Sequence, residues 1–432
     1  MTTVLLKPAG RIEGKLTPPG DKSISHRAIM FGALSDGVSS YGHFLEAEDC
    51  LNTAQAFRDM GIQIEHEKGT GRVRIHGKGM RGLSAPKNEL YLGNSGTTCR
   101  LLMGILAGQR FEAVLTGDPS LSSRPMKRVT QPLKQMGAQI KGKDNGNFAP
   151  LTIHGGKLKG IDFENHLASA QVKSALLLAG LYAETPTRIL EPVISRDHTE
   201  RFLKAAGARF SVEQGWLKIE KTDALKPFEA EIPGDISSAA FFMVGAALMP
   251  GSEVIIEKVC LNSTRTGILD VLKRMGAQVE VKMTQEVPEP LGTIKVKGSG
   301  RLKGTRITRE EIPSLIDELP ILMVAMASAE GESIISGAEE LRVKETDRIH
   351  SMVTNLTAVG GQAEELPDGC LIRGVERFCG GTVKSFGDHR TAMSLSIATL
   401  LMDGDLEIED TACVDTSFPS FFKDFERLTG GR

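Results

Sequence analysis

One short phrase recurs along the chain and limits what it can fold into. It is the end of an amphipathic helix followed by glycine. It reads Phe57-Arg58-Asp59-Met60-Gly61-Ile62, then Leu133-Lys134-Gln135-Met136-Gly137-Ala138, Leu203-Lys204-Ala205-Ala206-Gly207-Ala208 and Leu272-Lys273-Arg274-Met275-Gly276-Ala277. Weaker copies are Leu356-Thr357-Ala358-Val359-Gly360 and Phe425-Glu426-Arg427-Leu428-Thr429-Gly430. Six units of about 72 residues would fill the 432-residue chain. Glycine just past the last helical turn is the expected left-handed stop, because it alone has no Cβ to clash there.

A second series runs in phase with the first. Six very apolar helices are predicted at 27–34, 100–107, 172–182, 239–249, 320–329 and 391–402. Short alternating runs such as Val73-Arg74-Ile75-His76 and Leu151-Thr152-Ile153-His154 read as strands. Each unit then reads roughly βαβαβ(β), and the whole is α/β. A stacked solenoid is disfavoured, since solenoid repeats are usually about 20–45 residues. One echo marks a domain boundary: Pro19-Gly20-Asp21-Lys22-Ser23 returns as Pro233-Gly234-Asp235-Ile236-Ser237. If these are paired crossings, residues 21–234 form one half-domain. Residues 1–20 plus 235–432 form the other, completed by the N-terminal strand. The cleft between halves is then the expected place for an active site.

Composition narrows the function. The net charge of −2 gives no basic field for nucleic acid, so an anion site must come from a local cluster of cations. The six cysteines form no C-x-x-C pair and have no zinc-ligand spacing. The first 16 residues have no apolar core of a signal peptide, and the longest apolar stretch, 239–250, is too short to span a bilayer. A cytoplasmic protein is expected.

The chemical signal is the position of the cations. A helix N-terminus already carries partial positive charge and free N–H groups, so lysine or arginine there is unfavourable unless an anion binds. This chain does so repeatedly. Lys22 and Arg27 flank the first apolar helix, with Ser23 and Ser25 beside them. Gly93-Asn94-Ser95-Gly96-Thr97-Thr98-Cys99-Arg100 is a glycine-bearing loop opening into a helix. Arg124-Pro125-Met126 puts arginine before a proline suited to a first helical position. Ser169-Ala170-Gln171-Val172-Lys173, Lys344-Glu345-Thr346-Asp347-Arg348 and Asp388-His389-Arg390 are expected to open three more helices. One such opening is an ordinary surface charge; six in phase imply a substrate set with several negative charges. Asp317 and Glu345 sit among these cations. Asp317 reads either as a helix cap or as an acid–base group, and Glu345 either as an ion pair or as an acid–base group. His26 and His389, each before an arginine, read either as acid–base groups or, the favoured reading, as hydrogen-bonded bystanders.

Together these motifs resemble the EPSP synthase (3-phosphoshikimate 1-carboxyvinyltransferase) family over the whole chain. The resemblance implies a two-domain inside-out α/β barrel with six βαβαββ repeats, three per domain, which close on each other around substrate. It implies transfer of the enolpyruvyl group of phosphoenolpyruvate to the 5-hydroxyl of shikimate 3-phosphate. It assigns Lys22, Ser23, Arg27, Ser169, Ala170, Gln171, Ser195, Asp317 and Lys344 to shikimate 3-phosphate. Lys22, Asn94, Gly96, Arg124, Gln171, Arg348 and Arg390 fall to phosphoenolpyruvate. Asp317, Glu345 and Lys22 become catalytic, with Asp317 taking the 5-hydroxyl proton and Glu345 protonating the methylene carbon. No cofactor or metal, no nucleic-acid or membrane partner, and a monomer are implied. Gly96 stands where a larger residue crowds the pocket in glyphosate-resistant relatives. A lysine often found before the C-terminal Phe-Pro is absent, the run here being Val414-Asp415-Thr416-Ser417-Phe418-Pro419. A tyrosine after Ser195 is replaced, with His198 nearest. The sister family acting on UDP-N-acetylglucosamine carries a reactive cysteine in a loop that here, at 117–123, has none. An RNA-end-processing cyclase is disfavoured by one Trp and three Tyr. A non-catalytic scaffold gives no reason to put cations at helix starts.

Overall fold

A computed structural model describes residues 2–430. The chain divides into two compact units. One is Gly20–Ile232; the other joins the residues up to Pro19 to those from Pro233 onward. The two Pro-Gly steps therefore stand at the junctions.

The Gly20–Ile232 unit shows its repeat most fully in the middle. Strand Leu90–Tyr91 leads to helix Gly96–Ala107, strand Glu112–Thr116, helix Lys127–Gln135 and the hairpin Gln139–Gly142 with Phe148–His154. The first strand pair is parallel, because a helix carries the chain back between them, and the others are antiparallel. The next repeat is the same: Asp162–Glu164, helix Ala170–Gly180, Thr187–Leu190, helix His198–Ala205, then Phe210–Glu213 with Trp216–Ile219. The first repeat has helices Lys22–Leu34 and Glu48–Asp59 and strands Asp36–Gly42, Gln63–Glu67 and Arg72–Lys78. Its parallel edge strand comes from the far end of the unit: Glu229–Glu231 pairs with 40–42.

The other unit is built alike. Strand Glu13–Leu16 pairs parallel with Glu253–Cys260, around helices Ile236–Leu248 and Gly267–Arg274 and the hairpin Gln278–Gln285 with Leu291–Lys297. Strand Arg306–Ile307 opens the next repeat, followed by helix Leu319–Ser328, Glu332–Ile335, helix Arg348–Ala358 and the hairpin Gln362–Leu366 with Gly369–Arg373. The sixth repeat is shorter than expected. After Gly381–Lys384, helix His389–Ala398, Leu406–Glu409 and helix Phe421–Thr429, no closing hairpin follows among the described residues. Strand Val4–Leu6 instead pairs antiparallel with Leu406–Glu409, leaving this sheet three-stranded.

Within each unit the apolar helices pack against one another and the sheets lie outside them. Every residue of Ile236–Leu248 and of Leu319–Ser328 is buried. Helices apolar on all sides have no face to offer water, so the interior is their stable location. Helices Gly96–Ala107 and Ala170–Gly180 approach so closely that Gly104 has no room for a Cβ against Ala175.

The recurrent glycines explain the recurrent phrase. Gly61, Gly137, Gly207, Gly276, Gly360 and Gly430 all have positive φ, from 73° to 100°. At five of the six, the next residue donates its N–H back to the last turn: Ile62 to the Phe57 carbonyl (3.0 Å), Ala138 to Leu133 (3.0 Å), Ala208 to Leu203 (2.9 Å), Ala277 to Leu272 (2.9 Å) and Gly361 to Leu356 (2.8 Å). This bond satisfies a carbonyl that the helix end leaves open.

Candidate active site

In the Gly20–Ile232 unit the candidate residues gather at the starts of the three inner helices. Asp21 caps the first, accepting from the Ile24 N–H at 2.9 Å. Lys22 is the first helical residue and its ammonium is ion-paired with Asp49. Ser23 follows it. Arg27 lies one turn deeper and is 3% exposed. Its guanidinium donates to Thr199 Oγ1 at 2.7 Å, Ser174 Oγ at 2.9 Å and the Ser23 carbonyl at 2.8 Å. Its orientation is thus fixed by neutral oxygens drawn from three helices.

At the second helix Ser95 is the cap, accepting from the Thr98 N–H at 3.2 Å. Arg100 donates to Gln171 Oε1 at 2.6 Å, and Gln171 Nε2 donates to Thr97 Oγ1 at 3.0 Å. These bonds tie the second and third helix starts together. Arg124 donates to both oxygens of Asn94 and to Ser120 Oγ at 3.1 Å. Asn94 in turn donates to Asp118 at 2.8 Å. A Cβ at Gly96 would lie 3.2 Å from Arg100 Nη1 and 3.3 Å from Arg124 Nη1. Two buried guanidinium groups therefore face a residue without a side chain. Arg100 closes the loop motif, and its spacing of one turn from Gly96 is the sequence signal for this arrangement.

The third helix starts at Ala170, with Ser169 as cap accepting from Val172 N–H at 3.4 Å. Ser195 donates to Glu191 Oε1 at 2.6 Å, so its hydroxyl proton is already engaged. Glu191 also accepts from Asn165 (2.8 Å) and Lys173 (2.7 Å), and Asn165 reaches the Ser169 carbonyl at 3.1 Å. Asn165 and Glu191 carry no motif of their own, and only the fold reveals them.

Three expectations need correction. Lys173 is not an anion-binding cation: it is 1% exposed and salt-bridged to Glu191 and Glu200, both at 2.7 Å. Arg124 does not precede a first-turn proline. It ends the short helix Pro119–Ser123, and the next helix begins at Lys127. Lys344 does not open a helix either, because Asp347 caps Arg348–Ala358 and Lys344 follows the 3-10 turn Glu339–Val343. Asp317, read as either a cap or an acid–base group, lies in the 3-10 turn Ile316–Glu318. His26 and His389 are both buried. His26 is fully buried, with Nδ1 2.7 Å from Thr53 Oγ1, and burial, then Lys22 and Arg27, hold its pKa well below the ordinary value. It stays neutral, and as a neutral ring it links the first two helix starts through Thr53 and Thr98. His389 is buried near Thr416. His198 is fully buried at the start of its helix.

In the other unit the set is built around Arg348, which is 1% exposed. Its Nε meets Asp388 Oδ2 at 2.8 Å, Nη1 meets Asp317 Oδ1 at 3.1 Å and Nη2 meets Glu345 Oε2 at 2.8 Å. Burial opposes the charge on Arg348, but the three carboxylates outweigh it and raise its pKa. Burial pushes the Asp388 carboxyl up, yet Arg348 and His389 overcome this and hold it low. Asp388 also caps its helix, accepting from the Arg390 N–H at 2.7 Å. Asp317 faces Lys344 at 3.8 Å and Arg390 at 3.9 Å, and its carbonyl accepts from Arg390 at 3.1 Å. Burial lowers the Lys344 pKa, partly opposed by Asp317 and Glu340. Arg348 thus holds both candidate acid–base carboxylates rather than offering an open fork. Among the described residues there is no group of three or more His, Cys, Asp or Glu that could hold a metal, and no helix long and apolar enough to cross a membrane.

Comparisons with known proteins agree with one another. A family model described as EPSP synthase (3-phosphoshikimate 1-carboxyvinyltransferase) matches residues 6–425. A 3-phosphoshikimate 1-carboxyvinyltransferase of Alkaliphilus metalliredigens is 53% identical over 412 residues, covering 95% of this chain and 96% of that protein. The one from Geobacter metallireducens is 50% identical over 429 residues and covers 99% of both. A solved EPSP synthase structure from Acinetobacter baumannii superposes with a TM-score of 0.87 at 46% identity, covering 99% of this chain and 98% of that one.

Proposed function

Because this chain belongs to the EPSP synthase (3-phosphoshikimate 1-carboxyvinyltransferase) family, we propose that its two sets of anion-binding side chains serve a single transfer. The enolpyruvyl group of phosphoenolpyruvate goes to the 5-hydroxyl of shikimate 3-phosphate, and phosphate is released.

Ser23, Arg27, Ser169, Ala170, Gln171, Ser195 and Lys344 bind shikimate 3-phosphate. Ser195 must turn its hydroxyl from Glu191 to do so, because one proton cannot serve two acceptors. Phosphoenolpyruvate lies against Gly96 with Asn94, Arg124, Gln171, Arg348 and Arg390, and Lys22 touches both substrates. The observation that carries this assignment is the pair of guanidinium groups facing Gly96. A small, multiply charged anion fits where two forks converge on bare backbone.

The chemistry then runs as addition and elimination. Glu345 gives a proton to carbon 3 of phosphoenolpyruvate, which leaves carbon 2 electron-poor. The 5-oxygen bonds to carbon 2 while Asp317 takes the hydroxyl proton. In the second step the bond from carbon 2 to the phosphate oxygen breaks. Carbon 3 returns a proton, the vinyl ether forms and phosphate leaves. Lys22, Arg124 and Arg390 stabilise the charge on the departing group. Arg348 has a further part. It pairs with Glu345 at 2.8 Å, an attraction that favours the carboxylate. A substrate carboxylate that takes over this fork releases Glu345 to hold a proton.

The test is phosphate release from phosphoenolpyruvate by purified protein. Release is expected only when shikimate 3-phosphate is present. Equal turnover with UDP-N-acetylglucosamine, or none with shikimate 3-phosphate, refutes the assignment. We take the working enzyme to be a cytoplasmic monomer needing no cofactor; sedimentation of the metal-stripped, active protein checks the last two points.

A further inference from the structure

We infer that Glu318 is a positioning residue that fixes Asp317 by seating its own carboxylate at the start of the Ile236–Leu248 helix. The inference rests on the reading of Asp317 as proton acceptor.

The argument begins with the repeat. Helices Lys22–Leu34 and Ile236–Leu248 are both 13 residues long and both capped by aspartate, Asp21 and Asp235. Ser23 and Ser237 occupy the same second helical position. The cations differ: Ile236 stands where the first copy has Lys22, and Phe241 where it has Arg27. The first start is assigned to substrate anion. The second is filled from within. Ser237 donates its hydroxyl to Glu318 Oε1, and Glu318 is fully buried. Arg265, 2% exposed, donates to Ser237 Oγ at 2.7 Å and to Asp235 Oδ1 at 3.1 Å. A carboxylate at a helix N-terminus, next to a buried guanidinium, is the arrangement an external anion would adopt there.

A buried carboxylate is strongly unfavourable unless it keeps its partners. Glu318 is therefore held in place, and with it the 3-10 turn Ile316–Glu318. Asp317 is the preceding residue, and its side chain faces the opposite group: Arg348, Lys344 and Arg390. Three cations draw the Asp317 carboxylate from one side, and the Glu318 anchor one residue on holds the turn against that pull. A misplacement of about 1 Å at a reacting group costs about a hundredfold in rate.

The experiment compares Glu318→Ala, Ser237→Ala and Asp317→Asn. For each, kcat, both KM values and the thermal midpoint are measured, with and without added formate. In Glu318→Ala, kcat is expected to fall about tenfold to a hundredfold while both KM values hold within about threefold. Formate should restore kcat in a saturable manner, because a small carboxylate can take the vacated place between Ser237 and Arg265. Ser237→Ala should show a smaller loss of the same kind. Wild-type kcat in Glu318→Ala beside an inactive Asp317→Asn overturns the inference. So does a kcat loss that formate leaves untouched while Ser237→Ala behaves as wild type, since Glu318 then only supports the fold. If Glu318→Ala does not fold, Ser237→Ala decides: a kcat loss at unchanged thermal midpoint supports the role, and normal kcat refutes it. Near-normal kcat in Asp317→Asn instead refutes the assignment of Asp317, a separate failure.

Discussion

Replacing Gly96 by alanine adds one methyl group between two guanidinium groups. The new carbon would lie 3.2 Å from Arg100 Nη1 and 3.3 Å from Arg124 Nη1, closer than an ordinary van der Waals contact. Without ligand the two arginines can yield by a few tenths of an ångström. With an anion bridging them they cannot, since the bonds that hold the anion fix their positions. A hydrogen bond to a charged group contributes about 1.5–3 kcal/mol. Losing roughly the lower figure raises KM for phosphoenolpyruvate about tenfold. The backbone does not object. Gly96 is outside the left-handed region and is the first residue of its helix. Gly→Ala at such a compatible position stabilises a fold by about 0.4–1 kcal/mol. The expected result is thus a split: weaker phosphoenolpyruvate binding at an equal or higher thermal midpoint. A phosphate-release assay, with phosphoenolpyruvate varied at saturating shikimate 3-phosphate, measures the first. Thermal denaturation measures the second. Glyphosate, expected to compete with phosphoenolpyruvate, should lose potency in parallel. Unchanged KM and unchanged inhibition would show that this loop does not wall the anion site.

Three further outcomes are expected. Glu345→Gln should lower kcat about 10²- to 10⁴-fold with little change in substrate KM, the range for a positioned proton donor; near-normal kcat reduces Glu345 to an ion-pair partner of Arg348. Lys173→Met leaves Glu191 and Glu200 buried without their shared cation and should cost about 3–5 kcal/mol in urea unfolding; a loss under about 1 kcal/mol contradicts the buried triad. His26 is held neutral in the fold but binds a proton in the unfolded chain below pH 6.5. Stability should therefore be intact above that value and fall as pH drops, by about 1.4 kcal/mol per unit once well below it. Unfolding at pH 7.0 and 5.5 should show this excess loss in the wild type and not in His26→Gln, and equal pH slopes for the two disprove it.

Local chemistry made much of this protein legible in sequence. Glycine is the residue that enters the left-handed region at little cost, so the six helix stops could be read directly, and all six have positive φ. Apolar helices with no polar face must be interior, so 239–249 and 320–329 were placed as buried, and their observed bounds differ by only a few residues. Residues next to each other in sequence, such as Asn94 to Arg100, could be placed at a helix start because helix starts are local features.

What sequence could not supply was the partner of each charge. Lys173 and Arg348 look alike as cations near helix starts, yet one is spent on Glu191 and Glu200 and the other on Asp317, Glu345 and Asp388. Those carboxylates lie between 3 and 40 positions away along the chain. Pairing over such separations has no fixed period, so only packing decides it. The same holds for the two halves of the repeat. The Pro-Gly-Asp echo marks two crossings between the units, but that Glu318, 81 residues beyond Ser237, fills the second helix start from within is visible only in the fold. The sequence by itself determined the repeat, the helix stops and the reservoir of cations, because these follow from backbone sterics and hydrophobic period. The tertiary structure decided which carboxylate each cation meets, because a buried charge is neutralised by whichever side chain the fold brings within reach.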